Sequence, residues 1–221
     1  MIKIENVAVW GFEGAIRGMR NPMNSWHLSD SVGDGEEFAV GSKDMHLMKK
    51  LLAGGPVHAK YLRMVHVQMD ITAPMYWWKE FDTYKVATVR NSCSTMHKIH
   101  ARPFRAEDFS AGHLTDIYRL TMEKVIVQLN GAREEYLETV RRADQAKEYR
   151  EKVLLQGEAK EKWWQMIQLL PSSYNQKSTI DINYQTVIEM IKWRENHKLD
   201  EWRELVKELK KLPHMEELLN G

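Results

Sequence analysis

Between Asp82 and Glu107 the chain carries no acidic residue. The same stretch holds Lys85, Arg90, Lys98, Arg102 and Arg105, together with His97 and His100. It also carries the hydroxyl and amide side chains of Thr88, Asn91, Ser92, Ser94 and Thr95. Donors without competing carboxylates suit a phosphate or carboxylate ligand, because each cation keeps its charge-assisted hydrogen bonds for the anion. The competing explanation is a solvated basic loop. A second acid-free stretch, Pro171 to Ile180, contains Ser172, Ser173, Tyr174, Asn175, Gln176 and Lys177. If the two stretches meet in space, they make a polar, cationic pocket beside aromatic walls.

Other chemistries are less well supplied. Cys93 and His97 have the side-chain types of a nucleophile and its base. A lone Cys is more often an inert small hydrophobe. His97 and His100 are three residues apart and can share a helical face toward a metal. No third ligand has suitable spacing, so no metal is expected. There is no GxGxxG, no Walker loop and no GxSxG.

Composition narrows the class. Lys+Arg is 32 against 31 Asp+Glu, a formal charge of +1, which argues against a protein that coats nucleic acid through excess positive charge. Of the 221 residues, 43% are hydrophobic, enough for a packed core and too many for a disordered chain. One cysteine excludes an intrachain disulfide framework. No apolar run approaches the ~18–20 residues of a membrane span, and the N-terminal segment lacks a signal-peptide layout. The expectation is a cytoplasmic enzyme or binding protein without nucleic-acid or membrane partners.

The elements that must position these residues follow from periodicity. Ile2 to Trp10 alternates as a strand. Gly11 to Gly35 reads as loop with one short helix, and holds Arg17 and Arg20. Ser42 is the expected cap of a helix over 43–53, stopped by Gly54-Gly55-Pro56. Val65, Val67, Met69 and Ile71 face one way and His66, Gln68, Asp70 and Thr72 the other, which predicts a half-buried strand. Thr72-Ala73-Pro74 reads as a cap with Pro in the first helical turn. A helix from Met75 to about Tyr84 carries Tyr76, Trp77, Trp78 and Phe81, too aromatic for a wet side, so burial inside the protein or at a subunit contact is expected. A helical arm spans about 111–168 and breaks at Leu170-Pro171. Ser172 to Asp181 is loop or strand. Asn183 to Trp193 is a helix, and Leu199 to Leu212 is the last amphipathic one. The simplest organisation is a single α+β domain over 1–221, with a mixed or antiparallel sheet flanked by helices.

With those residues in view, the order of features resembles the flavin-dependent thymidylate synthases, from roughly His58 to Trp202 and more faintly in the Arg17/Arg20 loop. The strand into Ala73-Pro74-Met75-Tyr76-Trp77-Trp78-Lys79-Glu80, then Thr83 to Thr88, then Asn91-Ser92-Cys93-Ser94, is similar to one part of that family's pattern. There its strand and Ala-Pro helix start lead into Arg-His-Arg-x-x-Ser and Asn-Glu-x-Ser-x-Arg-Tyr. Leu170-Pro171 to Lys177, Asn183-Tyr184-Gln185 and Trp193-Arg194 match its Leu-Pro…Tyr-Thr-Arg…Asn-x-Arg…Leu-Arg pattern without a gap. The signature's residue types differ here. Thr83, Tyr84 and Lys85 stand for Arg-His-Arg, Lys79 and Glu80 for the preceding Arg-Gln, and Thr88 for the first Ser. One extra residue near Arg90 brings Asn91 and Ser94 into register. Ser92 then stands for the signature Glu, Lys177 and Gln185 for two downstream arginines, and Arg194 is retained.

The resemblance implies FAD, NADPH as reductant, methylenetetrahydrofolate as one-carbon donor and dUMP or a related pyrimidine nucleotide as substrate. It implies a homotetramer with sites built from more than one chain. It assigns the polarising catalytic role to Arg194, and the substrate's phosphate and sugar to Lys177, Ser92 and Ser94, with Arg90 and Gln185 nearby. It assigns FAD to His58, Lys79, Glu80, Thr83, Tyr84, Lys85, Thr88 and Asn91. Three functions fit these features: dTMP synthesis from dUMP, chemistry on another pyrimidine nucleotide, or a non-catalytic oligomeric relative.

Overall fold

The computed structural model describes residues 2–220, so Met1 and Gly221, the ends of the expected domain, lie outside the described residues. Its elements run β1 (Lys3–Trp10), α1 (Phe12–Arg20), α2 (Ser42–Ala53), β2 (His66–Pro74), α3 (Met75–Phe81), β3 (Thr88–Ser92) and α4 (Thr95–Lys98). They continue with α5 (Asp116–Gln145), α6 (Tyr149–Leu169), β4 (Asn175–Asn183), α7 (Tyr184–Arg194), α8 (Asp200–Lys210) and α9 (Met215–Leu219), with short 3-10 turns between. This is an α+β chain whose four strands form one antiparallel sheet in the order β1-β2-β4-β3. It divides into two compact units. One holds Ala73–Trp78 and Ser92–Lys177, and the other holds Ile2–Thr72, Lys79–Asn91 and the chain from Ser178.

In the sheet-bearing unit the alternation read from β2 holds. Val67, Met69 and Ile71 are buried, while His66, Gln68, Asp70 and Thr72 lie on the wetter face. β1 pairs antiparallel with β2 from Lys3↔Thr72 to Trp10↔His66. The register shifts between Glu5 and Ala8, where Asn6 takes a positive φ of 53°. The one short helix expected in the loop after β1 is α1, nine residues at its start.

The segment after α1 is organised by a buried ion pair. Arg20 is 5% exposed and Asp44 0%, and Arg20 Nε donates to Asp44 Oδ1 at 2.6 Å. The other carboxylate oxygen accepts from the Ser29 and Ser31 hydroxyls at 2.6 and 2.7 Å and from the backbone N–H groups of Asp30 and Ser31. Asp44 thereby pins a loop that has little apolar surface of its own to bury. Ser42 is not the cap that the sequence suggested. It is the first helical residue, and Asp30 accepts from the Lys43 and Asp44 N–H groups in its place. Gly41 makes this possible, because a Cβ there would lie 2.2 Å from the Asp30 carboxylate.

Two further expectations at α3 change. Pro74 closes β2 rather than entering the helix, and the helix ends at Phe81, not Tyr84. Its start is tied by Met75 N–H to the Tyr174 carbonyl and Tyr76 N–H to the Ser172 carbonyl, both 3.0 Å. Trp77, Trp78 and Phe81 are buried within the chain itself. α8 is shorter than the expected Leu199 to Leu212, ending at Lys210, and it is not the last helix, since α9 follows Pro213.

In the other unit α5 and α6 form the expected arm, a hairpin that begins at Asp116 and is closed by a three-residue turn. Its base is a cluster of Ile99, Phe104, Phe109, Leu129 and Met166, with Tyr136, Trp163 and Tyr174 packed against it. Most charged residues of the arm are exposed, as its mixed sequence implies, while Arg133, Lys152 and Lys162 are half-buried.

Burial pushes the Asp44 carboxyl up, but the hydrogen bonds from Ser29, Ser31 and Arg20 and the arginine's charge outweigh it, so the net shift is downward. A depressed folded-state value stabilises the fold above the unfolded carboxylate's pKa, and that stabilisation fades as the pH falls below about 4. Asp44→Asn, which leaves the buried Arg20 charge uncompensated, is expected to cost about 3 kcal/mol or more in a urea melt at pH 7. The difference from wild type should shrink toward pH 3.

Candidate functional site

Arg194 is the last residue of α7, and three elements converge on it. Its Nε donates to the Tyr84 hydroxyl at 3.0 Å. Its guanidinium carbon sits 4.6 Å from the centre of the Trp202 ring and 5.5 Å from that of Tyr84. Its Nη1 lies 3.5 Å from Glu80 Oε2. That same oxygen accepts from Trp202 Nε1 at 3.0 Å and lies 3.3 Å from His197 Nε2. His197 Nδ1 accepts the Leu199 N–H at 3.2 Å, which assigns the neutral ring's proton to Nε2, facing Glu80.

Local structure explains the convergence. After Phe81 the chain turns tightly, with Thr83 N–H on the Glu80 carbonyl and Tyr84 N–H on that of Phe81, which swings Tyr84 back over the helix end. Trp202, fully buried on α8, stacks on Phe81 at 6.2 Å with rings 16° from parallel. The arginine side chain remains 21% exposed, so a ligand can reach it. Among the described residues no protein acceptor faces its Nη2. The arrangement is a rigid cation with one free donor group.

The other expected residues of this unit are distributed around it in the sequence. Lys79, Thr83, Lys85 and Asn91 are exposed, and among the described residues no carboxylate pairs with Lys79 or Lys85. Thr88, half-buried on β3, has a buried Oγ1 with no hydrogen-bond partner. His58 is exposed at the start of the 3-10 turn Ala59–Met64. Gln185 accepts at 2.6 Å from Arg63 Nε. Arg90 is engaged by both Asp82 oxygens at 2.8 Å and donates to Ser178 Oγ at 3.0 Å. Ser92, Ser94 and Lys177 belong to the helical unit. There the Lys177 carbonyl accepts the Cys93 N–H at 2.9 Å, and Ser94 Oγ caps α4 by accepting the His97 N–H.

The two acid-free stretches do meet. Cys93 bonds Gln176 and Lys177 in one unit, and Arg90 bonds Ser178 in the other. The charge gap, however, is a property of the sequence alone. Asp82 neutralises Arg90, and Asp108 takes Arg102 through two hydrogen bonds. Glu80 and Tyr84 are engaged by Arg194, and Trp202 and His197, which periodicity marked only as helix and loop, complete the cluster. Arg63 had no signal at all, because its partner lies 122 residues away. No group of three His, Cys, Asp or Glu side chains among the described residues is arranged to hold a metal. No described helix is long and apolar enough to cross a membrane.

No protein-family model matches the chain, and no curated protein matches it significantly. Solved structures do match its fold. A crystal structure of thymidylate synthase X from Helicobacter pylori with FAD and dUMP is similar at 16% identity, covering 100% of this chain and 98% of that one, with a TM-score of 0.66. A second structure, flavin-dependent thymidylate synthase from Helicobacter pylori complexed with FAD and dUMP, is similar at 17% identity over 99% of this chain and 98% of that one, TM-score 0.66. The whole α+β architecture is therefore shared.

The unpartnered Thr88 hydroxyl carries a desolvation cost in the ligand-free protein. Thr88→Val, the same shape without the hydroxyl and well suited to a strand, is expected to leave stability unchanged or raise it by about 1 kcal/mol, read from the urea midpoint without added ligand.

Proposed function

We propose that this chain is a flavin-dependent thymidylate synthase-like enzyme that makes dTMP from dUMP. In this reading methylenetetrahydrofolate is the one-carbon donor, and FAD, reduced by NADPH, carries the hydride. The observation that carries the reading is Arg194. The retained arginine of the resemblance is a clamped, solvent-reachable cation in a chain whose fold matches two complexes of FAD and dUMP over its full length.

The residues present fit the cofactor in chemical type. Lys79 and Lys85 offer unpaired cations for a diphosphate, and Thr88 Oγ1 is a buried hydroxyl in want of a partner. His58, Thr83 and Asn91 complete that set. Bound FAD would supply the hydride chemistry, which no side chain can provide. The protein's part is electrostatic. Arg194 would donate to the pyrimidine and favour negative charge on the ring, so that the ring carbon attacks the donor's methylene. Lys177, Ser92 and Ser94 would take the phosphate and sugar. Lys is a point charge without the fork of an arginine, so phosphate contacts through Lys85 and Lys177 are single ones. A homotetramer and a cytoplasmic location belong to the same proposal.

A second reading has one observation in its favour. Gln185, where the family pattern has an arginine, is held by Arg63, which moves a guanidinium to a new attachment point. That is compatible with a different pyrimidine nucleotide as substrate.

The purified protein is expected to take up FAD with flavin absorbance, and dUMP should perturb that spectrum. Lys85→Gln should weaken FAD binding by about tenfold or more, the loss of one charge-assisted contact. Product analysis with dUMP, dCMP and UMP under reducing conditions separates the two readings. A colourless protein that binds no FAD on titration and does not rescue a thymidine auxotroph sinks both.

A further inference from the structure

We propose that Glu80 is a positioning residue for Arg194, braced by Trp202 and His197, and that the clamp makes Arg194 select a lone carbonyl oxygen of the ligand rather than a phosphate. This rests on the reading of Arg194 as the group that meets the nucleotide. It deepens that reading by naming what holds the arginine and why, so held, it meets the base rather than the phosphate.

The argument starts from one oxygen. Glu80 Oε2 faces three donors, Trp202 Nε1 at 3.0 Å, His197 Nε2 at 3.3 Å and Arg194 Nη1 at 3.5 Å. Two of these come from rigid surroundings. Trp202 is fully buried and stacked on Phe81, and His197 is fixed by the Leu199 N–H on its other nitrogen. The carboxylate is thus held in place by groups that have no reason to contact a ligand. Its remaining interaction, with Arg194, sets where the guanidinium lies, while Tyr84 and Trp202 set its plane.

The consequence for selectivity is geometric and electrostatic. An arginine grips a phosphate through two parallel N–H groups on one edge. Here Nε is spent on Tyr84 and Nη1 faces Glu80, so both edges that could form a fork have one member engaged. The nearby carboxylate also repels a phosphate dianion far more strongly than a neutral carbonyl. Nη2 therefore suits a single neutral acceptor, such as a pyrimidine carbonyl. The phosphate must be met by other cations.

The test uses the intact, nitrogen-15-labelled protein and follows the Arg194 Nε–H resonance, assigned by its loss in Arg194→Lys. In wild type this proton should exchange slowly with water. Glu80→Gln keeps the shape but removes the charge, and should speed the exchange by about tenfold, the order expected for weakening a charge-assisted contact. Affinity for dUMP and for deoxyuridine, measured by calorimetry, should fall by the same factor, because the contact is to the base. If the exchange is unchanged in Glu80→Gln, Glu80 does not position Arg194. If dUMP binding falls while deoxyuridine binding does not, Arg194 serves the phosphate and the selectivity is wrong. If wild type binds neither compound, the proposed function fails and the selectivity with it, while the exchange measurement still decides the positioning role. Should circular dichroism show Glu80→Gln unfolded, Glu80→Asp, which withdraws the carboxylate by one methylene, must show the faster exchange.

Discussion

The candidate site depends on how one carboxylate oxygen is shared. Glu80 Oε2 lies within reach of an indole N–H, an imidazole N–H and a guanidinium, contributed by α8, by the loop before it and by the end of α7. A part-exposed ion pair between two long side chains contributes little to stability, because both must be ordered and water screens the charge. The pair becomes definite here because its carboxylate is fixed by a buried indole and its guanidinium lies against two aromatic faces. Aromatic packing thus does the ordering that the charges could not do for themselves, and the cation is left oriented and reachable.

The same device recurs away from the site in a buried form. Asp44 collects Arg20 and the Ser29 and Ser31 hydroxyls, and holds a loop whose own residues are mostly exposed. In both places a single acidic group gathers several donors: at Asp44 it holds irregular backbone with little apolar help, and at Glu80 it works together with the aromatic rings. The two differ in accessibility. Asp44 is sealed, which suits a structural knot, whereas the Arg194 cluster opens to solvent on one side, which suits a ligand contact.

Much of the architecture could be read from period alone. The β2 alternation, the arm of α5 and α6 and the break before Pro171 follow from where apolar residues fall, and burial follows the same arithmetic. The failures are local competitions. Ser42 looked like a cap, but Asp30 from a distant turn offered a charged acceptor to the same N–H groups. Pro74 looked like a helix start, but β2 continued through it because the α3 amides are tied to Ser172 and Tyr174. The acid-free run looked like a free cationic surface, yet two of its arginines, Arg90 and Arg102, fold back on Asp82 and Asp108 just outside its borders.

The chain by itself determined its class of fold, the retained Arg194 and the supply of polar and cationic side chains between 82 and 107 and between 171 and 180. Those are matters of residue type and short-range spacing, which the linear order contains. Only tertiary structure decided which charges remain available. Arg90 and Arg102 are consumed, Lys79 and Lys85 are not, and Arg194 is clamped by Glu80, Tyr84 and Trp202. The reason is that an ion pair or ring contact depends on distance through space. Residues more than one hundred positions apart, such as Tyr84 and Arg194, acquire that distance only when the chain has folded.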